Sequence, residues 1–286
     1  MKRAFTLIEI IFVLIVLGIL AAVGSEVLFK VYENYLFSRS VENSSYKLDV
    51  ALLQITKRLS YRIPSSEIVR DSAGNINTLN IPASSAYSHL EWIGRAYEAK
   101  RGLWNGNTYA PGWSGLADLS QSSKQRLVTP GSNLSYAKQI ISSVYGRNLD
   151  NPNNGCAVVF YDTYSGNPIN AFGWDGSTPN AIYTVHRQNN KTFIFDNASS
   201  KRISDIYDLT CSAYAIRHEN NNTLTLYYNY RPWLGETYQN GQSITLVDNV
   251  TSFQIRKRDR SIEIRLCVED NTTGTPVEFC GKKVVF

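Results

Sequence analysis

The sequence predicts an α+β fold in which one long N-terminal helix packs on an antiparallel β-sheet head. Residues 5–23 form an apolar run, and residues 24–63 continue with apolar side chains at helical spacing. From Gly155 onward, short stretches of β-branched and aromatic residues are separated by turn-forming residues. The first half of this helix is apolar on all sides, and its second half is apolar on one face. The apolar face of the second half must pack against another part of the chain. The strand-rich part of the chain provides the surface for it.

These patterns divide the chain into three parts. Residues 1–4 are a short basic leader, and residues 5–63 are the helix, with a membrane-spanning part at 5–23 and an amphipathic part at 24–63. Residues 64–286 are the β-rich head, in which residues 64–154 form an irregular insertion.

The apolar run is long enough to cross a membrane. Residues 5–23 give about 28 Å of helix, which matches the hydrocarbon core of a bilayer. No later segment is apolar enough to cross again, and Lys2 and Arg3 place the N-terminal end on the cytoplasmic side. Within the run, Glu9 is anomalous, because a carboxylate in the bilayer costs roughly 2.5–3.5 kcal/mol. Glu9 therefore needs a partner.

The segment Lys-Arg-Ala-Phe-Thr-Leu-Ile-Glu, residues 2–9, followed by this apolar run resembles a class III prepilin signal. Type IV pilins and the pseudopilins of type II secretion systems share that signal. The resemblance implies that a prepilin peptidase cuts between Ala4 and Phe5, and that the new Phe5 amine is N-methylated. It also implies that Glu9 is the assembly glutamate, which pairs with the Phe5 amine of a neighbouring subunit. Ala4 stands where the family usually has glycine.

An ordinary secretory signal is the alternative. It would be cut after a small-residue site in the range 20–24, so that the mature chain would begin near Ser25. Such a signal has no use for Glu9 in its apolar core.

The amphipathic half of the helix is predicted to end before Pro64, because proline cannot continue a helix. The layout of a long helix that carries a β-rich head is also that of pilins. A coiled-coil dimer stalk is the alternative, since the apolar stripe is close to heptad spacing, but several polar residues interrupt it. The stripe comprises Val27, Leu28, Val31, Tyr35, Val41, Leu48, Leu52, Ile55 and Leu59.

The insertion predicts two short helices, at about Ser88–Lys100 and Leu134–Tyr145. Between them lies a loop rich in glycine, asparagine and aromatic residues that includes Trp104 and Trp113. This loop is a candidate surface for stacking on sugars or docking a partner. The alternative is that both tryptophans anchor the loop on the head.

The remainder of the head predicts one antiparallel sheet in hairpin order, laid on the helix. Residues 220–222 and 259–260 have the composition of hairpin connections. The predicted strands are Cys156–Thr163, Ala181–Arg187, Thr192–Asp196, Cys211–Glu219, Thr223–Tyr230, Ser243–Val250, Thr251–Lys257 and Ser261–Val268.

Four cysteines allow three disulfide pairings. Cys267 and Cys280 flank a turn-rich link, which favours a local disulfide that closes this hairpin, and Cys156 would then pair with Cys211. A zinc site is the alternative, but the spacing of the cysteines and histidines does not match known zinc motifs.

The sequence carries no catalytic or cofactor-binding motif, so we predict neither an enzyme nor a cofactor. The three histidines, His89, His186 and His218, share no motif. Asp175 and Asp270 each begin a short turn that could offer oxygens to calcium, but neither turn has the acidic alternation of a calcium loop, and we predict no metal site. The net charge is +5, or +3 without the leader, and does not predict nucleic-acid binding.

The resemblance implies a structural filament subunit of the inner membrane whose head lies in the periplasm. Its partners would be prepilin peptidase, other pseudopilins or pilins, the inner-membrane assembly platform and the membrane. The large head favours a minor subunit near the filament tip, and residues 246–255 and 262–266 resemble the closing strands of J-type minor pseudopilins. Two alternatives are a minor pilin that acts as a tip adhesin or in DNA uptake, and a membrane-anchored periplasmic enzyme.

Overall fold

The computed structural model describes residues 6–79, 87–104, 109–160, 166–196, 202–271 and 276–286. Its first element is helix α1, Leu7–Ser60, which is 54 residues and about 81 Å long. The helix ends three residues before the predicted limit at Ile63. The reason is that the chain becomes extended there: Ile63 N donates to Ile93 O at 2.8 Å, and Arg62 forms a bridge with Gly94.

Six strands form a central antiparallel sheet in the order β13-β12-β11-β3-β1-β2. Residues 220–222 connect β11 to β12, as the sequence predicts. The strands are β1 Ile68–Asp71, β2 Ile76–Thr78, β3 Tyr87–Gly94, β11 Ser212–His218, β12 Leu224–Tyr230 and β13 Gln242–Val247.

A second sheet has five strands in the order β10-β7-β8-β9-β6, and a separate two-stranded ribbon pairs β4 with β5. The bounds of these strands are β4 Leu103–Trp104, β5 Tyr109–Ala110, β6 Arg126–Val128, β7 Ala157–Phe160, β8 Ile182–Asn189, β9 Thr192–Phe195 and β10 Tyr207–Thr210. The helices of this region are α2 Tyr97–Lys100, α3 Leu134–Tyr145 and α4 Pro168–Phe172. Two 3-10 turns, Pro232–Leu234 and Tyr238–Asn240, follow β12.

The third sheet, which we call the C-terminal sheet, consists of β14 Val250–Arg258, β15 Ser261–Asp270 and β16 Val277–Val285 in that order. Its two hairpins are antiparallel, and β16 lies against α1. A Cβ atom on Gly281 of β16 would lie 2.6 Å from Leu52 Cδ1 and 3.2 Å from Leu48 Cδ2. Glycine at this position therefore lets the helix approach the strand closely.

Three apolar cores join these sheets into layers. The first core lies between α1, one face of the central sheet and the inner face of the C-terminal sheet. The second lies between the other face of the central sheet and the five-stranded sheet, and includes α4. The third lies between the five-stranded sheet and helices α2 and α3. The fold is thus α+β, with the long helix packed on antiparallel sheets, as predicted.

Three predictions about the head are wrong in detail. The head has several sheets instead of one. The predicted helix at Ser88–Lys100 is mostly strand β3, because Leu90 and Trp92 bury toward α1 while His89, Glu91 and Ile93 bury on the opposite face. The insertion is not irregular throughout, because β1, β2 and β3 belong to the central sheet. The predicted helix at Leu134–Tyr145 matches α3.

Candidate functional site

The first half of α1 is the segment for which the sequence predicts a role in filament assembly. Its side chains are exposed along the whole of Leu7–Val23, with Leu7 at 77% and Phe12 at 68% of their full accessibility. Among the described residues, α1 is the one helix long and apolar enough to span a membrane. An apolar surface of this length cannot remain in water, so it requires a membrane or other apolar helices around it.

Glu9 is the only ionisable residue between Leu7 and Ser25. The Thr6 backbone N and the Thr6 hydroxyl both donate to Glu9 Oε2 at 3.3 Å. These long contacts cap the first turn of the helix, where a negative charge is also favoured by the helix dipole. The carboxylate is otherwise exposed, so it is accessible to a cation from another chain. Ala4 and Phe5, the predicted cleavage and methylation residues, lie outside the described residues.

The side chains in the middle of α1 are also largely exposed. The first buried residues of the helix are Ser40 and Ser44, and Ser44 Oγ donates to Asp270 Oδ2 at 2.9 Å. From Val23 to Tyr35 every residue of the helix is exposed, over about 18 Å, and Leu36 is the first half-buried residue. The large apolar and aromatic side chains exposed between Val23 and Ser40 are Val27, Leu28, Phe29, Val31, Tyr32, Tyr35 and Phe37.

The structure joins the cysteines in the two pairs that the sequence predicts. Cys267 and Cys280 are directly opposite each other in the β15–β16 hairpin, and their disulfide closes it. Cys156, just before β7, is bonded to Cys211, just after β10, and ties these neighbouring strands together. The described residues contain no free cysteine.

The two tryptophans of the candidate binding loop are in different environments. Trp113 is fully buried in the third core, where its indole N donates to Ala96 O at 2.9 Å and Lys100 Nζ lies 4.6 Å from the ring centre. Trp113 is therefore an anchor of the loop, which is the alternative stated above for both tryptophans, and it cannot contact an external ligand. Trp104 is 61% exposed on the β4–β5 ribbon, opposite Tyr109. Residues 105–108 of this loop lie outside the described residues.

The histidines do not form a common site. His186 Nδ1 lies 2.6 Å from Asp196 Oδ1, whereas His218 Nε2 lies 3.1 Å from Val250 O. His89 is buried on β3 beside Tyr238, and burial lowers its pKa to about 4, helped by the nearby charge of Arg217. Each histidine thus contacts a different part of the head.

The most deeply buried charge is Glu91, on the central strand β3. It forms an ion pair with Arg70 and accepts a hydrogen bond from the Tyr230 hydroxyl at 2.8 Å. Burial raises the pKa of Glu91, against the opposing effects of Arg70 and Tyr230. Because these groups satisfy one another inside the second core, we interpret them as structural.

The candidate metal ligands are occupied by other interactions. Among the described residues, Cys267, Glu278 and Cys280 are close enough to share an ion, but the two cysteines form a disulfide and Glu278 Oε1 accepts from Thr251 Oγ1 at 2.5 Å. Asp175 Oδ1 accepts from the backbone N and the hydroxyl of Ser177, at 3.1 and 2.6 Å, in a local turn. Asp270 Oδ2 accepts a hydrogen bond from Ser44 Oγ at 2.9 Å.

Sequence reasoning missed a basic surface on the outer face of the C-terminal sheet. Arg256, Arg258, Arg265 and Lys282 are exposed there, with Glu263 between them. The sequence does contain a signal for this surface, which is the alternation of charged residues along the strands. Arg256 and Arg258 are two residues apart, as are Glu263 and Arg265, and side chains two residues apart lie on the same face of a strand. We call this set the basic face.

Comparison with known proteins gives no independent assignment, since no protein-family model, no curated protein and no solved structure matches this chain.

Proposed function

We propose that this chain is a minor pseudopilin, a structural subunit near the tip of a type II secretion pseudopilus or a related type IV pilus-like filament. The observation that carries the proposal is Glu9, a lone acid in an exposed apolar helix that follows a prepilin-like leader. The layered α+β head on the far half of the same helix supports it.

The proposed mechanism is assembly without catalysis. Prepilin peptidase removes residues 1–4 on the cytoplasmic face of the inner membrane, and the Phe5 amine becomes the new terminus. A carboxylate alone in the bilayer costs roughly 2.5–3.5 kcal/mol, and a neighbouring ammonium offsets that cost by neutralising it. Glu9 of an incoming subunit therefore selects the position at which the Phe5 amine of its neighbour is within reach.

The rest of α1 supports this mechanism. The exposed stretch from Val23 to Tyr35 has aromatic side chains that the head does not cover, among them Tyr32 and Tyr35. In a bundle of filament helices, neighbouring helices would bury this surface. A single anchored monomer would leave it in water.

The same proposal accounts for the compartment. With the basic leader in the cytoplasm, the head lies in the periplasm, where disulfides form and persist. Both disulfides lie in the head, so their formation there is consistent with this topology.

The test is the substitution Glu9→Ala in the full chain, expressed in cells that assemble the filament. We expect the variant to be processed and inserted into the membrane normally, but to be recovered in sheared filaments at least about tenfold less than the wild type, since a difference of 1.4 kcal/mol already gives that factor. Ile10→Ala is the matched control, because it removes bulk beside Glu9 without changing charge. Normal incorporation of Glu9→Ala would reject the proposed pairing.

The alternative of a tip adhesin or DNA-uptake pilin retains one supporting observation, the exposed Trp104. Loss of the gene would then leave protein secretion unchanged, and the detergent-solubilised chain would bind glycan or DNA through Trp104. Trp104→Ala distinguishes the two functions, because a structural subunit does not require this side chain for incorporation.

A further inference from the structure

The C-terminal sheet has one apolar face and one strongly basic face. Phe253, Ile255, Ile264 and Leu266 point into the first core. The alternate positions on the opposite face carry the basic face, whose arginines, Arg256, Arg258 and Arg265, are exposed. With Lys282 this face carries four basic side chains and three acids, of which Glu263 lies among the arginines and Glu269 and Glu278 lie beyond the Cys267–Cys280 disulfide. The excess of positive charge is therefore at the end of the face that carries the arginines.

The arrangement of these charges is unfavourable in the isolated chain. Arg265 is directly opposite Lys282 across the β15–β16 pair, and like charges in such positions destabilise a sheet. Lys282 Nζ lies 2.8 Å from Glu263 Oε2, and this contact lowers the pKa of Glu263. The carboxylate that lies among the arginines is therefore already in contact with Lys282.

The arginines of the basic face form no close ion pair among the described residues, although Glu263 is directly opposite Arg256 and the charges of Arg256 and Arg258 help to lower its pKa. None of the ion pairs within the described ranges includes Arg256, Arg258 or Arg265. Elsewhere in the head, arginines are commonly paired with an acid: Arg62, Arg70, Arg95, Arg187, Arg217 and Arg231. A guanidinium presents a planar fork of donors that matches a carboxylate or a phosphate.

We propose that the basic face binds an acidic protein surface, with Arg256 and Arg265 as its principal contacts. A shallow cavity of about 370 Å³ is lined by these two arginines, Lys282 and Glu263, and its three basic groups would receive carboxylate side chains. The identification of the partner as another subunit of the filament rests on the proposed function. The prediction that the partner is acidic rests only on the charges of the basic face.

Two other anionic partners fit the face less well. Gly281 contacts Leu52 of α1, which is about 44 Å of helix beyond Val23, so the face is several Debye lengths from lipid headgroups. Nucleic acid lacks a stacking surface here, because the residues that line the cavity include no aromatic side chain on which a base could stack.

Binding of a fluorescent poly-glutamate peptide to the detergent-solubilised full chain tests the proposal. We expect salt-sensitive binding that the double variant Arg256→Glu/Arg265→Glu weakens by about tenfold, since it places two negative charges where the peptide would meet two positive ones. Lys124→Glu/Lys191→Glu is the matched control, because both lysines are exposed and lie outside the C-terminal sheet. This control should retain the wild-type affinity.

Three outcomes would overturn the proposal. They are no binding of poly-glutamate, equal binding by the double variant, and tighter binding of single-stranded DNA of the same length. Glu9→Ala in the same assay separates this proposal from the filament function. It should bind poly-glutamate normally, whether or not it assembles in cells.

Discussion

At the residue scale, two glutamates in apolar surroundings have opposite arrangements. Glu91 is fully buried, but Arg70 and Tyr230 satisfy its carboxylate within the chain. Glu9 has only the long contacts from Thr6 and lies on an exposed apolar helix. The contrast explains why we interpret Glu91 as structural and Glu9 as a group that needs a second chain.

The buried ion pair gives the first prediction at this scale. Glu91→Gln leaves the Arg70 charge buried without a counterion, so we expect it to lower the free energy of unfolding by about 3–5 kcal/mol. Tyr230→Phe removes one neutral donor and should cost only about 1–2 kcal/mol. Urea unfolding of the full chain in detergent measures both variants. Equal losses for the two would show that the pair has no special role.

His89 predicts how stability depends on pH. Its pKa is lowered by burial to about 4 in the folded chain, against 6.5 as the ordinary value. Between these values the unfolded chain binds a proton that the folded chain does not, so stability is complete above about pH 6.5 and falls as the pH decreases toward 4. The charge of Arg217 strengthens the effect on the pKa of His89, whereas a hydrogen bond with the Arg70 backbone and the charge of Asp71 oppose it.

Unfolding of the wild type and of His89→Gln at several pH values checks this dependence, and the variant should lose most of the slope between pH 6.5 and 4. Asp150 acts in a lower range, because Arg187 lowers its pKa to about 2, and its contribution is lost only below about pH 4. A wild-type slope that His89→Gln leaves unchanged would contradict the assignment.

At the element scale, the fit between α1 and the C-terminal sheet depends on close approach. Gly281→Ala would place a methyl group against Leu52 and Leu48, which lie on the buried face of the helix. We expect overpacking of this kind to cost about 1–3 kcal/mol in urea unfolding. The double variant with Leu52→Ala should recover part of that cost. Additive losses would mean that the two side chains do not meet.

The sequence predicted a helix correctly where the apolar spacing persisted over many residues, as in α1, or was regular within a short segment, as in α3. The apolar stripe of α1 and the compact pattern of α3 identify both helices to within a few residues. Strand β3 was misassigned because His89 and Glu91 are polar yet buried, which only the sheet on its other side makes possible. Strand β16 was missed because Gly281, Lys282 and Lys283 break its alternation.

At the scale of the whole molecule, the sequence predicted that a helix carries an antiparallel head, but not how the head is layered. The layers depend on contacts between distant strands, such as β3 with β11, for which the chain has no local signal. The same distinction between local patterns and distant contacts holds for the residues of the candidate site. Glu9 and the Cys267–Cys280 pair follow from local patterns, and the Cys156–Cys211 pair follows by elimination, whereas the burial of Trp113 and the basic face follow from packing.

The whole molecule therefore has an exposed apolar helix at one end and a disulfide-linked head at the other. Its central feature is Glu9 on that helix, whose contacts among the described residues are the two long hydrogen bonds from Thr6. Intact mass measurement and N-terminal sequencing of the processed chain, purified from membranes, test this most directly. We expect a chain that begins at an N-methylated Phe5 and retains Glu9. A chain that begins near Ser25 would contradict the account, because Glu9 would have been removed before it could act.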